Sequence, residues 1–306
     1  MKIAVIGAGG VGGFFGGRLA RANDVTFIVR GRTLAALREK GLRVESIDGD
    51  FHLQPISATD DPSSVGPVDA VLVAVKAWQL AEAAQSALPL LGPETVVVPL
   101  QNGIDAPEEL LSLLPAPNVV GGLCAIVSFV IEPGHIRHAG AKPFVMFGEL
   151  HGRVTPRLEA LRDAFIGVGV HAEIPPDIRR SMWTKLLFIA PMSGIGALTR
   201  VPIGVWRSLP ETRALAERAV QEIIAIATAR GIDLGGDALP LTMGRYDGLP
   251  PESTSSLQRD VIGGHPSELE AQLGTIVRMA REQKVPAPVL ETLYACLLPA
   301  EAAARA

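Results

Sequence analysis

The stretch of sequence that decides the fold reads Lys2-Ile3-Ala4-Val5-Ile6-Gly7-Ala8-Gly9-Gly10-Val11-Gly12. Its first half is a short apolar run, which is typical of a strand buried on both faces of a parallel sheet. Its second half has the pattern G-x-G-x-x-G and leads into a segment that can be helical. A turn of this kind offers backbone N–H groups and a partial positive charge to an anion. We therefore predict that a dinucleotide phosphate binds at Gly7, Ala8, Gly9, Gly10, Val11 and Gly12.

The surroundings of this motif favour a nucleotide site over a purely structural turn. A second strand, from Asp24 to Arg30, follows at the distance that a βαβ unit requires. Buried strands are predicted at 68–75 and 95–100, and a strand-rich stretch at 118–150 is expected to extend the same sheet. The fold class predicted for residues 1–174 is α/β, a Rossmann-type doubly wound parallel sheet that binds a dinucleotide.

The pattern changes after Pro175-Pro176, because no β pattern follows and long helical stretches fill the rest. Residues 175–306 are therefore predicted to form an all-helical C-terminal domain, whose last residues, 300–306, are expected to fray. The predicted helices are Asp177 to Met192, Leu209 to Gly231, Pro266 to Lys284 and Pro288 to Ala304.

Composition excludes several function classes. The chain has 306 residues, a net charge of -4 and no basic tract, which argues against nucleic acid or a membrane surface as a partner. No apolar run reaches the roughly 18 residues of a membrane span, so we expect a cytoplasmic protein. Cys124 and Cys296 lack the paired spacing of a zinc site, and no metal is expected. The expected partner is a small molecule, and a homodimer is compatible with the sequence.

The end of the second strand predicts which nucleotide binds. An NAD site expects Asp or Glu there, and this chain has Arg30, followed by Gly31 and Arg32. Two guanidinium groups suit the 2′-phosphate of NADP, because their planar forks match phosphate oxygens. The alternative is that both arginines are solvated loop charges.

Two polar residues follow the other predicted strands. Ligands bind beyond the carboxyl ends of parallel strands, where Lys76 follows the strand at 68–75 and Asn102 follows the strand at 95–100. Lys76 is placed to reach the nicotinamide half or a phosphate, and the Asn102 amide can both donate and accept hydrogen bonds. The alternatives are a solvated lysine and a turn residue before Gly103.

The helical half must supply a proton, since a nucleotide domain provides only the hydride carrier. Lys185 stands in an apolar helix beside Trp183 and Leu186, so its ammonium either snorkels to solvent or faces a polar cleft. Glu268 lies in the first turn of a predicted helix, where a carboxylate either complements the helix dipole or pairs with a cation across a cleft.

The whole chain resembles the ketopantoate reductase (2-dehydropantoate 2-reductase) family. The motifs occur in the family's order along nearly the full length: the glycine turn, Val75-Lys76-Ala77-Trp78-Gln79, Gln101-Asn102-Gly103, Trp183-x-Lys185, and Ser256 to Asp260 leading into Ser267-Glu268. The resemblance implies an NADPH-dependent reduction of a 2-keto acid to a 2-hydroxy acid, as in pantothenate biosynthesis. It also implies that residues 175–306 are the substrate-binding and catalytic domain.

The resemblance further assigns roles to single residues. It implies that Arg30 meets the adenosine phosphate, that Lys185 donates the proton and that Ser256 lies near the substrate carboxylate. Lys76 and Asn102 would line the nicotinamide end, and Glu268 would lie near cofactor and substrate hydroxyls. These roles suit the chemistry, because hydride delivery builds negative charge on the ketone oxygen and an ammonium stabilises and then protonates it.

One departure from the family pattern leaves the substrate open. The family commonly has Asn at the fourth and eighth residues after its lysine, where this chain has Ile189 and Ser193. Ser193 keeps a polar group for the substrate, whereas Ile189 removes an amide and makes the cleft more apolar. The alternatives are therefore a related NADP-dependent oxidoreductase with a more apolar carbonyl substrate, or a regulator that binds NADP without turnover.

Overall fold

The computed structural model describes residues 1–140 and 142–306, and these divide into two compact units. Unit 1 comprises Met1–Gln101 and Ala106–Ile178, and unit 2 comprises Asn102–Asp105 and Arg179–Ala306. The short segment Asn102–Asp105 thus belongs to unit 2, although it directly follows residues of unit 1. Nothing in the sequence indicated that this segment belongs to unit 2.

Unit 1 contains a parallel sheet of five strands, which are β1 (Lys2–Ile6), β2 (Asp24–Ile28), β5 (Ser57–Thr59), β6 (Ala70–Val73) and β7 (Val96–Pro99). Their order in the sheet is β5-β2-β1-β6-β7. The chain moves outward from β1 to β5 and then returns to β6. The strand order therefore reverses between β1 and β6, which is the switch point where sheets of this type bind ligands.

Both faces of this sheet are covered, as the apolar run of β1 predicts. Ile3 and Val5 belong to one hydrophobic cluster, whereas Ala4 and Ile6 belong to another on the opposite face. The helices of unit 1 are α1 (Gly10–Leu19), α2 (Gly31–Lys40), α3 (Leu80–Ala87), α4 (Ala106–Leu113) and α5 (Pro156–Ile166). This is the doubly wound Rossmann-type arrangement that the sequence predicts.

Val119 forms an isolated parallel bridge with Val97 of β7, but the rest of the strand-rich stretch after residue 118 does not extend the first sheet, and that part of the expectation was wrong. A long hairpin forms a second sheet with short strands from elsewhere in the chain. The strands are β3 (Leu42–Ser46), β4 (Phe51–Leu53), β8 (Gly121–Glu132), β9 (His135–Gly148) and β10 (His171–Glu173). Helix α1 contacts strands of both sheets, and its glycines allow this close packing: a Cβ on Gly16 would lie 2.7 Å from the Phe27 ring.

Residues 179–306 of unit 2, all of them described, have helices as their only regular structure. The helices are α6 (Ile178–Thr199), α7 (Ile203–Trp206), α8 (Pro210–Ala229), α9 (Ala238–Gly248), α10 (Ser256–Ile262), α11 (Thr275–Gln283) and α12 (Pro288–Arg305). Helix α8 packs against α9, α11 and α12. The sequence predicted the long helices but missed α7, α9 and α10, and it ended α6 too early.

Helices long and apolar enough to cross a membrane do not occur in the described ranges, 1–140 and 142–306.

Candidate active site

The glycine turn lies at the carboxyl end of β1, beside the switch point. Gly7 has φ +93°, and a Cβ there would lie 2.9 Å from Cγ1 of Val75, which follows β6. A Cβ on Gly12 would lie only 2.0 Å from the Gly7 carbonyl oxygen, whereas a Cβ on Gly9 would meet no described atom within 4 Å. Neighbouring atoms therefore leave no room for a side chain at Gly7 and Gly12, whereas a side chain at Gly9 would point into open space.

The start of α1 is built to receive an anion. Gly9 is its N-cap, and in the described part of the chain no side chain caps this helix start and no acidic residue lies in its first turn. The amides of the first turn are thus available to a ligand. A pyrophosphate approaching over Gly9 fits this arrangement. On another side of the turn, β8 passes so close that a Cβ on Gly10 would lie 2.8 Å from the Ser128 Oγ, a neighbour that no sequence motif indicated.

The sequence at the end of β2 supplies no acid, but the fold brings the Glu82 carboxylate of α3 to it. Arg30 forms a two-pronged ion pair with Glu82 of α3, in which Nη1 contacts Oε1 and Nη2 donates to Oε2 at 2.7 Å. The hydrogen bonds raise the pKa of the Arg30 guanidinium and lower the pKa of the Glu82 carboxyl. Both side chains are more than half exposed. Arg32 is exposed in the first turn of α2.

Lys76 lies beyond the carboxyl end of β6, as the sequence predicts, three residues after Val73. It is half-buried, and its ammonium lies 5.7 Å from the centre of the Trp78 ring, an arrangement that a cation–π interaction stabilises. At the end of β7, the buried Gln101 side chain donates to the carbonyls of Val73 and Val75 at 3.0 Å each. Gln101 thereby fixes the end of β7 to the segment that leads to Lys76.

Asn102 and Glu268 are far apart in sequence but are hydrogen-bonded in unit 2. The Asn102 Nδ2 donates to Glu268 Oε2 at 3.1 Å, and Glu268 is only 7% exposed. Gly103 (φ +113°) permits this approach, because a Cβ there would lie 2.7 Å from the Ala271 carbonyl oxygen. A π-helical turn, Glu270–Gly274, follows Glu268, and such turns occur often at functional sites.

The predicted proton donor lies on α6. Lys185 and Ile189 are half-buried, one turn apart on the same face of the helix, whereas Ser193 is fully buried. The Ser193 hydroxyl has no hydrogen-bond partner among the described residues. One turn further, a Cβ on Gly196 would lie 2.4 Å from the Gln258 Oε1, so α10 packs closely on this part of α6.

Helix α6 continues through Pro191, and Tyr246 helps to explain why. Proline lacks the N–H that would bond the carbonyl of Leu187 four residues earlier. The buried Tyr246 hydroxyl donates to the neighbouring Phe188 carbonyl at 2.8 Å and lies 3.5 Å from that of Leu187. Burial raises the pKa of this phenol, which keeps it a neutral donor. The hydrogen bond that Pro191 cannot form therefore belongs to the part of α6 between Lys185 and Ser193.

Ser256 is the first residue of α10 and is half-buried. Ser255 caps the helix by accepting from the Gln258 N–H at 3.0 Å. Arg259, one turn after Ser256, donates to the backbone carbonyl of Thr254 at 2.9 Å. Burial lowers the pKa of the Arg259 guanidinium. The helix thus presents a hydroxyl and a half-buried cation on one face.

The predicted site residues fall into two groups, one in each unit. Unit 1 holds the glycine turn, Arg30, Arg32 and Lys76, and unit 2 holds the remaining ones: Asn102, Lys185, Ser193, Ser256 and Glu268. Among the described residues, no group of three His, Cys, Asp or Glu side chains is placed to hold a metal ion.

Comparison with known proteins gives the family. The family model for ketopantoate reductase PanE/ApbA matches residues 3–152, and the model for its C-terminal domain matches residues 177–301. The chain belongs to the ketopantoate reductase family. It is therefore an oxidoreductase, and the family uses a nicotinamide dinucleotide, NAD or NADP, as cofactor. Family membership argues against the alternative of a regulator without turnover.

This family member is similar to an uncharacterized oxidoreductase and to proteins named 2-dehydropantoate 2-reductase. The uncharacterized oxidoreductase YkpB of Bacillus subtilis is 35% identical over 97% of this chain and 98% of that protein. The 2-dehydropantoate 2-reductase of a Nostoc species is 29% identical over 96% of this chain and 93% of that protein. The crystal structure of 2-dehydropantoate 2-reductase from Geobacter metallireducens has a TM-score of 0.91 and 31% identity, and the match covers 98% of this chain and 100% of that one.

Proposed function

We propose that this reductase uses NADPH to reduce ketopantoate, or a related 2-keto acid, to the 2-hydroxy acid, as in pantothenate biosynthesis. The observation that carries the proposal is the hydrogen bond from Asn102 to Glu268 at 3.1 Å. Both residues belong to motifs of the family, and a buried carboxylate oriented by an amide is suited to hold substrate or ribose hydroxyls. We assign cofactor binding to residues 1–174 and substrate binding and catalysis to residues 175–306.

The proposed reaction assigns a separate role to each of a few side chains. A reduced nicotinamide, when bound, would supply the hydride for the ketone carbon. The Lys185 ammonium, half-buried on α6, stabilises the negative charge that develops on the ketone oxygen and donates a proton to it. Asn102 and Glu268 orient hydroxyl groups, and Ser256 donates to the substrate carboxylate.

A second candidate substrate class follows from Ile189. This side chain is half-buried one turn after Lys185, on the same face of α6. An apolar group at this point favours a 2-keto acid with an apolar substituent over one with a hydroxyl group that needs a partner. Ser193 remains a proposed substrate contact that requires movement of its neighbours, because the residue is 0% exposed.

A screen of 2-keto acids tests the proposed function directly. The purified protein is mixed with NADPH and either ketopantoate or a panel of 2-keto acids with branched aliphatic or aromatic substituents, and the absorbance of NADPH is followed. We expect turnover with at least one of them and a markedly higher kcat/KM for ketopantoate or an apolar analogue than for pyruvate. No turnover with any 2-keto acid would contradict the proposed reaction.

We propose NADP rather than NAD as cofactor, with Arg30 and Arg32 facing the 2′-phosphate and Lys76 near the nicotinamide or a phosphate. The ion pair between Arg30 and Glu82 refines this proposal. Exposed ion pairs are weak, so a phosphate can replace Glu82 on the guanidinium. With NAD, the same carboxylate can instead accept hydrogen bonds from ribose hydroxyls.

Two substitutions test this cofactor preference. Because a charge-assisted contact to phosphate is lost, Arg30→Ala is expected to raise the dissociation constant of NADPH about 10- to 100-fold, with little change for NADH. Glu82→Gln is expected to tighten NADPH binding and weaken NADH binding, since it removes a competing carboxylate. Fluorescence titration measures both constants, and Glu39→Gln, an exposed change on α2, is the matched control. Equal effects of Arg30→Ala on the two cofactors would refute the phosphate contact.

A further inference from the structure

The C-terminal end of α12 carries a buried carboxylate that the proposed reaction does not use. Glu301 is only 7% exposed, and Arg305, one helical turn later, donates to its Oε1 at 2.6 Å. A carboxylate is buried at a high cost unless hydrogen bonds and a countercharge compensate for its lost hydration. The remaining hydrogen bonds of Glu301 therefore identify what this side chain holds in place.

In the described part of the chain, those hydrogen bonds come from Ser267, the residue before Glu268. The Ser267 N–H donates to both carboxylate oxygens of Glu301, at 3.1 and 3.0 Å, and the Ser267 hydroxyl donates to Oε2 at 2.5 Å. Arg305 completes the arrangement, because its Nη2 donates to the Ser267 carbonyl at 3.0 Å. Every polar group of Ser267 thus has a partner at the end of α12.

Ser267 in turn fixes the start of the following helix. Its hydroxyl also accepts from the Leu269 N–H at 3.3 Å, which ties together the two residues on either side of Glu268. Ser267 and Leu269 are both fully buried. The backbone on each side of Glu268 is therefore immobilised, and the direction of the Glu268 side chain toward Asn102 is set by this backbone.

We propose that Glu301, together with Arg305, is a positioning residue that holds Glu268 in its orientation toward Asn102. The proposal rests on the function proposed above, in which Glu268 contacts cofactor and substrate hydroxyls. In this proposal Glu301 contacts neither ligand directly. Its effect on the reaction passes through the Ser267 backbone.

The test is Glu301→Gln, which keeps the size of the side chain but puts an NH2 group where a carboxylate oxygen accepted hydrogen bonds. We expect kcat/KM for the 2-keto acid to fall about 10- to 100-fold, because small misplacements of a positioned group cost this much. The control is Glu291→Gln, the same change on the same helix, in a half-exposed residue paired with Arg281. It is expected to leave kcat/KM unchanged. An unchanged kcat/KM in Glu301→Gln would overturn the proposal.

A double-mutant cycle separates positioning from a general loss of stability. Glu301→Gln is combined with Glu268→Gln, and the double variant is expected to be no slower than Glu268→Gln alone, because Glu301 acts through Glu268. Multiplying losses in the double variant would overturn the proposal, since two independent contributions are additive in free energy.

A crystal structure of Glu301→Gln provides a readout that does not depend on the reaction. We expect the distance from Asn102 Nδ2 to the Glu268 carboxylate to exceed the hydrogen-bond limit of about 3.5 Å. An intact hydrogen bond would overturn the positioning role. If Glu268→Gln leaves turnover unchanged, the role assigned to Glu268 in the proposed function fails, and the crystal structure alone then decides whether Glu301 positions it.

Discussion

Replacement of Lys185 by alanine is expected to lower kcat by about 10³- to 10⁴-fold while NADPH binds as tightly as before. The reason is that one ammonium performs two tasks in the proposed reaction, stabilising the developing oxyanion and donating the proton, and each is typically worth about a hundredfold or more. Cofactor binding is unaffected because the phosphate contacts assigned above lie in unit 1, whereas Lys185 lies in unit 2. Steady-state kinetics with the 2-keto acid and a fluorescence titration with NADPH measure the two quantities.

Two further variants make this test specific. Arg179→Ala removes an exposed cation from the start of the same helix and should leave kcat unchanged. Lys185→Arg keeps the positive charge but replaces the ammonium with a guanidinium that does not give up a proton, so an intermediate kcat is expected. Unchanged turnover in Lys185→Ala would remove this residue from the mechanism.

Much of the fold could be predicted because its strongest signals are local. The apolar run of β1, the glycines after it and the break at Pro175-Pro176 each follow from the backbone preferences of a few neighbouring residues. The placement of the hairpin at 118–150 was wrong because strand partners are chosen by long-range packing. Its partners include β3, whose residues pair with residues of β9 about 90 positions later in the chain.

The end of α6 shows how tertiary contacts override a local rule. The predicted helix ends at Met192, the residue after Pro191, yet the helix continues to Thr199. A donor from another helix, the Tyr246 hydroxyl, lies at the carbonyls near the missing bond. Nothing in the sequence near Pro191 identifies that donor.

The candidate site shows the same division between local and long-range information. Motifs identified Asn102 and Glu268 separately, and only the structure shows that they are hydrogen-bonded. The sequence did not identify Glu82 or Glu301, because each is hydrogen-bonded to a partner distant in sequence, Arg30 and Ser267 respectively. Residues 300–306 were expected to fray, yet they include the buried Glu301. Hydrogen bonds from Ser267, which is distant in sequence, hold this end of α12 in place.

Replacing each of two glycines of the same motif by alanine is expected to have opposite effects on the stability of the protein. Gly12→Ala is expected to destabilise the protein by about 3 kcal/mol or more, because the new Cβ would lie 2.0 Å from a backbone oxygen that cannot move aside cheaply. Gly9→Ala is expected to leave stability unchanged or raise it by up to about 1 kcal/mol, since φ -73° and ψ -166° suit alanine and no described atom lies near the new methyl group. Thermal and urea unfolding of the two variants measure this contrast.

The same pair locates the cofactor phosphate. The open space over Gly9 is where we place the pyrophosphate, so the Gly9→Ala methyl group should raise the dissociation constant of NADPH at least about tenfold in a protein that is otherwise fully folded. Fluorescence titration of this variant therefore reports on binding alone, free of the folding defect that complicates Gly12→Ala. If Gly9→Ala bound NADPH as tightly as the unmodified protein, the dinucleotide could not pass over this turn, and the phosphate site would have to lie elsewhere in unit 1.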